Sequence, residues 1–265
     1  MPYTTLDLKR ANQVTWLTLN RPDALNALNS TMVTELRDFF GGLPAERDTR
    51  IVVLRGAGRA FCAGLDLKES PGGDGMGSVQ AALRGQRRIS ELVMLMRRAP
   101  QAFIACVHGA ACGGGFALAL AADVRIAGES ARMNAAFIRI GLSACDVGVS
   151  YFLPRLVGVS VASELLLTGR FINAPRSLAT GLVSEVVPDD QLDAAAQRLV
   201  DDMLLTSPLG LRLTKECLNA AIDAGSLEQV IAMEDRNQVL CTQTNDFREG
   251  VMAFLQKRKP EYTES

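Results

Sequence analysis

Two short runs rich in β-branched and aromatic residues, QVTWLTLN at 13–20 and RIVVLRG at 50–56, bracket a segment, STMVTELRDFF, with helical apolar spacing. Met32, Leu36, Phe39 and Phe40 share one face of that helix, and the flanking runs have strand composition. The order then repeats. AFIACVHG (102–109) and DVRIAG (123–128) read as strands. Ahead of them VQAALRGQRRISELVMLMRRA (79–99) puts Leu83, Ile89, Leu92, Val93 and Met96 on one helical face. A strand that runs parallel to its predecessor needs a crossover long enough to hold a helix, and such crossovers are right-handed. The chain is therefore predicted to be α/β at its core.

Beyond about Ser160 the pattern is helical. SVASELLLTG and APRSLATG end at Gly169 and Gly181, which read as helix stops. After a short strand in LVSEVV come three amphipathic helices. The last, NDFREGVMAFLQKRKP, is read with Asn245 or Asp246 as cap and Phe247, Val251, Phe254 and Leu255 as its apolar face. Such a face must pack on its own core or on another subunit. KESPGGDGMGS (68–78), crowded with Gly, Pro and Ser, reads as a mobile surface loop near a binding site. No internal repeat marks a solenoid.

With 265 residues the chain can bury a sizeable core. Its 28 basic and 29 acidic residues give a net charge of −1, which counts against nucleic-acid binding or an anionic membrane surface and leaves small-molecule chemistry. The six cysteines stand singly, without the spacing of a zinc site or disulfide frame, and read as reduced thiols of a cytoplasmic protein. MPYTTLDLKR carries no apolar signal region. The longest uncharged run, residues 109–122, is too short to span a bilayer.

Three segments in order, LNRPDALNALN, GAGRAFCAGLDLKE and VHGAACGGGFALALAADVRIAGESA, make the chain resemble the crotonase (enoyl-CoA hydratase/isomerase) superfamily. YFLPRLVG and LLLTGRFINAPRSLATGLVSEVVP agree, so the likeness covers nearly the whole chain. It implies a spiral of ββα turns holding an acyl-CoA site (1–200) and a helical C-terminal trimerisation region (201–265). It also implies assembly as a homotrimer or a dimer of trimers. CoA enters only as part of the substrate, and no motif suggests a metal, a redox nucleotide or pyridoxal phosphate.

By the family pattern, the backbone N–H groups of Leu65 and Gly114 form an oxyanion hole for the thioester oxygen. Each such donor is worth about 3–4 kcal/mol. Glycine suits the second position because no Cβ blocks the ligand's approach. For CoA the resemblance points to Ala24 and Leu25, and to Ala63, Asp66 and Leu67 around the adenine, mostly through backbone contacts. Arg21 and Lys257 are candidates for the phosphates, or plain surface charges.

The chain departs from the two-glutamate hydratases. Their glutamate positions hold Ala117 and Phe137, which cannot accept a proton and are read, with Cys145, as substrate pocket. Asp123 and Glu129 read as structural. In GLSACDVG, Asp146 resembles the catalytic aspartate of dienoyl-CoA isomerases, 3-hydroxyisobutyryl-CoA hydrolases and 4-chlorobenzoyl-CoA dehalogenases, whose segment is one residue shorter. Two readings of Asp146 stand: a proton carrier whose pKa rises beside Phe137, or a turn residue accepting backbone N–H bonds. His108 reads as a satisfied structural histidine, and Cys145 has nothing basic to activate it.

The expected function is double-bond isomerisation or hydration of an enoyl-CoA. One carboxylate suffices for a 1,3-proton shift, so isomerisation fits better. A thioester hydrolase and a non-catalytic acyl-CoA binder are the alternatives.

Overall fold

The computed structural model describes residues 2–69 and 78–264. Six strands form the main sheet in the spatial order β1 (Leu6–Ala11), β2 (Val14–Leu19), β3 (Ile51–Gly56), β4 (Ala102–Val107), β6 (Val124–Gly128) and β9 (Glu185–Val187). Only the first pair is antiparallel. Its turn puts Asn12 and Gln13 in the left-handed region, the geometry that matches strand twist in a tight hairpin. A smaller sheet joins β5 (Ala110–Cys112), β7 (Arg132–Asn134) and β8 (Ile172–Asn173).

Period-two alternation along β3 assigns its two faces. Val52 and Leu54 enter one cluster with Leu36 and Phe40 of α1 (Ser30–Gly42) and Leu92 and Met96 of α2 (Val79–Arg98). Ile51 and Val53 enter another with Ala195, Ala196 and Val200 of α7 (Leu192–Leu204). Helices on both faces of a nearly all-parallel sheet explain why β3 reads as a continuous apolar run. Residue 200, where the sequence reading divides the chain, falls inside α7.

The face foreseen for α1 is buried at all four positions. That of α2 is buried only in its second half. Leu83 is exposed, and the first two turns carry no buried residue, because they run out beyond the edge of the core. The loop foreseen at 68–78 lies almost wholly outside the described residues.

α5 (Val159–Thr168) and α6 (Ala174–Ala179) precede β9, and among the described residues four helices follow it rather than three: α7, α8 (Pro208–Ala221), α9 (Leu227–Thr242) and α10 (Asn245–Gln256). The cap of α10 is Thr244, whose Oγ1 accepts the Phe247 N–H at 3.0 Å. Asp246 is instead buried and accepts the N–H groups of Thr263 and Glu264, which fastens the C-terminal tail. The apolar residues expected to pack, Phe247, Val251, Phe254 and Leu255, are exposed in the single chain.

A buried ammonium joins α8 to α2 and to the starts of β4 and β6. Lys215 on α8 donates to Met96 O at 3.0 Å and Gln101 O at 2.6 Å, and pairs with Asp123 at 3.0 Å. Lys215→Met leaves Asp123 paired with Arg97 and the Phe103 N–H but strands the Met96 and Gln101 carbonyls, so it should destabilise the fold by about 1–3 kcal/mol in urea unfolding.

Candidate active site

Two loops and one helix end build the centre of the site. The strand-like segment 61–66 runs beside both residue 28 and β5. Leu28 N–H donates to Gly64 O at 2.7 Å, Asp66 N–H to Leu28 O at 3.0 Å, and Cys112 N–H to Cys62 O at 2.9 Å. Gly64 sits at φ +97°, and a methyl group there would lie 2.8 Å from Cys112 O and 3.6 Å from Gly114 N. Glycine is thus required for the two loops to come this close. Gly114 opens α3 (Gly114–Ala121), an all-buried helix whose apolar circumference fixes it in the core. Arg125 holds the far end of α3 by donating to Leu120 O and Ala122 O.

Among the described residues, neither Leu65 N–H nor Gly114 N–H donates to any protein acceptor. Gly114 is the first residue of its helix, where the N–H has no intrahelical partner and meets the positive end of the helix dipole. Both residues line a cavity of about 120 Å³ together with Phe137, Ile140, Leu142, Gln86 and Asp146. Two unpaired donors on adjoining loops are the arrangement that can stabilise negative charge on one oxygen.

Asp146 is the only ionisable residue of the described lining. It is half-buried, and burial raises its carboxyl above the ordinary aspartate value, against the lowering effect of hydrogen bonds from Val147 N–H and Gln86. Oδ1 accepts both bonds, at 2.8 Å from Val147 N and 2.6 Å from Gln86 Nε2. Oδ2 accepts none among the described residues. The turn duty and a free oxygen therefore coexist on one carboxylate. The turn itself is strained: Val147 sits at φ +47°, rare for a β-branched residue, before Gly148 at +81° and α4 (Val149–Val157).

Not every expected pocket residue reaches the lining. Phe137 does, with its ring against Gly113, where an added Cβ would stand 3.3 Å from Phe137 Cε1. Ala117 is fully buried in α3 and is not part of the described lining, and Cys145 is exposed and outside it as well. His108 Nε2 lies 2.9 Å from Gly58 O. Sequence reading missed Gln86, Ile140 and Leu142. A polar residue on an amphipathic helix and two apolar ones in a loop carry no local signal.

The residues expected to hold CoA adjoin one another. Ala24 ends a 3-10 turn, Leu25 and Asn26 are both left-handed, and Ala63 N–H donates to Leu25 O at 3.0 Å. Asn26 is completely buried and locks this segment by donating to Ala57 O and Ala60 O. Ala63 and Leu67 line the cavity. Arg21 is neither a free phosphate ligand nor a solvated charge, since it donates to Ala27 O at 2.5 Å and pairs with Asp66 at 3.0 Å. Burial pushes the Asp66 carboxyl up, but the Arg21 guanidinium and Lys68 N–H outweigh it and hold the group below its usual range. The carboxylate is thus consumed within the fold. Lys257 is exposed, in the left-handed cap of α10.

The family model described as enoyl-CoA hydratase/isomerase matches residues 9–265. "Probable enoyl-CoA hydratase EchA12" of Mycobacterium tuberculosis is 38% identical over 256 residues, covering 95% of this chain and 90% of that protein. "1,2-Epoxyphenylacetyl-CoA isomerase" of Escherichia coli is 35% identical over 247 residues, covering 93% and 94%. The crystal structure of enoyl-CoA hydratase from Bacillus anthracis superposes with a TM-score of 0.93 at 33% identity, covering 99% of this chain and 100% of that one. No helix among the described residues is long and apolar enough to cross a membrane. This chain belongs to the enoyl-CoA hydratase/isomerase family of the crotonase superfamily and is an enzyme of that type.

Proposed function

We propose that the protein moves the double bond of an enoyl-CoA by a 1,3-proton shift. The observation that carries this reading is that Asp146 is the one ionisable side chain of the described cavity lining, with Oδ2 unengaged. Asp146 Oδ2 removes a proton from the carbon α to the thioester carbonyl of a 3-enoyl ester, or γ to it in a 2-enoyl ester. The C–H electrons flow into a dienolate, and negative charge gathers on the thioester oxygen. The N–H groups of Leu65 and Gly114 donate to that oxygen and stabilise its charge without reorganising. The protonated carboxyl then returns the proton to the other end of the dienolate. One group serves as base and acid in turn, and no water is consumed.

Hydration in the usual manner needs two acid–base groups about one water, and Ala117 and Phe137 supply neither. The relatives named as hydratases keep hydration as the second reading, with Asp146 as the single base and the substrate's own enolate as proton acceptor. Ala24, Leu25, Ala63, Asp66 and Leu67 would hold the CoA moiety through backbone groups. The test is incubation with 2-enoyl- and 3-enoyl-CoA esters in D2O. Deuterium gain without added water supports isomerisation, whereas a product heavier by one water sinks it in favour of hydration.

The proposed assembly is a homotrimer, alone or paired. Its support is the family likeness and the exposed row on α10, where Phe254 is 83% accessible in the single chain. Phe254→Asp should convert the trimer to monomer in light scattering. An unchanged mass would place the contact elsewhere.

A further inference from the structure

We propose that Gln86 is a positioning residue for Asp146: its amide pins Oδ1 so that Oδ2 alone faces the chemistry. The inference rests on the reading of Asp146 as the proton carrier. Gln86 belongs to the outer half of α2, which buries nothing. Its side chain nevertheless reaches across sixty positions of sequence to donate to Asp146 Oδ1 at 2.6 Å, and both residues line the cavity.

A carboxylate has two oxygens and a free χ2 rotation. Val147 N–H, at 2.8 Å from the same Oδ1, fixes that oxygen from the backbone side. A single bond would still let the group swing about it. The second donor, arriving from another element, sets the plane of the carboxylate and so the direction of Oδ2. Both donors favour the charged form and so work against the rise that burial imposes.

Among the described lining residues no other charge competes for this role. Facing Asp146 across the cavity are Gln86 and Ile89 from α2, Phe137 and Ile140 from the 3-10 turn at Ala136–Ile140, Leu142 from the loop after it, and Leu65 and Gly114 from the donor loops. None of these ionises. Removal of the amide therefore acts on Asp146 directly rather than through a neighbouring titration.

The experiment titrates the full-length protein labelled with [4-13C]aspartate, with the Asp146 carboxyl resonance assigned by its loss in Asp146→Asn. Gln86→Leu keeps the bulk and deletes the donor. Its Asp146 carboxyl should titrate about half a unit to one unit higher than in the parent protein. Gln86→Glu places two carboxyls within hydrogen-bonding distance, where they cannot both ionise, so the shift should be larger still. In turnover of 3-enoyl-CoA esters, the acidic limb of kcat should move by the same amounts. For Gln86→Leu, kcat at neutral pH should fall about tenfold, with KM little altered, because orientation at the reacting atom is lost rather than binding.

An Asp146 resonance that titrates at one pH in all three proteins overturns the proposal. Turnover lost in Asp146→Asn beside an unmoved Gln86→Leu titration removes the positioning role and leaves the base in place. Full turnover by Asp146→Asn removes both. Thermal midpoints equal to the parent's confirm that neither Gln86 variant acts by unfolding.

Discussion

Asp146→Asn should abolish double-bond migration while leaving CoA-ester binding intact. The amide still accepts the Val147 N–H and fits the same space, but it cannot carry a proton. The loss of a positioned acid–base group costs about 10²–10⁴-fold in rate, and with no second ionisable group in the described lining the upper end is expected. Isotope exchange at the α carbon in D2O would vanish with turnover, since the first proton removal is the step affected. Binding, measured by titration calorimetry with the same ester, should change by less than about threefold, because Oδ2 meets only the reacting hydrogen. Rates within about fivefold of the parent would make Asp146 a turn residue and end the proposed mechanism.

The same variant should gain stability. Burial raises the Asp146 carboxyl above its unfolded value, more than the bonds from Val147 and Gln86 lower it. Between those two pKa values the native state holds a proton that the unfolded chain has released, so stability falls as pH climbs through the window. At neutral pH the parent carries a partly desolvated charge, and the asparagine variant does not. Asp146→Asn should therefore melt higher at pH 7, with the advantage gone below about pH 4, where the unfolded aspartate is also protonated. Strain at Val147, which the substitution does not touch, limits the gain.

How much of this was legible in the chain follows from how local each determinant is. The face of α1 and the run of β3 are written in adjacent residues, and the structure buries them as read. Leu65 and Gly114 were offered by the family likeness, and both line the cavity with N–H groups that meet no acceptor among the described residues. Leu83 misled because periodicity says which residues share a face, not whether the helix still lies over the core at that turn. β1, β5, β7 and β8 were missed. Three of them have two or three residues, too few for an alternating pattern. The Arg21–Asp66 clamp and the Gln86–Asp146 bond join residues 45 and 60 positions apart. Nothing in either neighbourhood encodes the other, so these pairings exist only once the loops are packed.

The donor pair should prove as sensitive as the carboxylate, and Gly64 is where it is most easily tested. Gly64→Ala leaves both N–H groups chemically intact. Its methyl, however, would stand 2.8 Å from Cys112 O at a φ of +97° that L-residues rarely adopt, so the two loops must part by a few tenths of an ångström or more. Donors aimed at one oxygen lose most of their value when one is displaced, and losing one costs about 10²–10³-fold in kcat. The prediction is a loss of that size with KM nearly unchanged, since the charge on the thioester oxygen develops after binding. Gly114→Ala differs in kind: its methyl would meet Leu28 Cδ1 at 2.8 Å and stand on the cavity side where the ligand approaches, so it should raise KM as well as lower kcat. A Gly64→Ala enzyme with parental kcat would mean that Leu65 and Gly114 do not share the thioester oxygen.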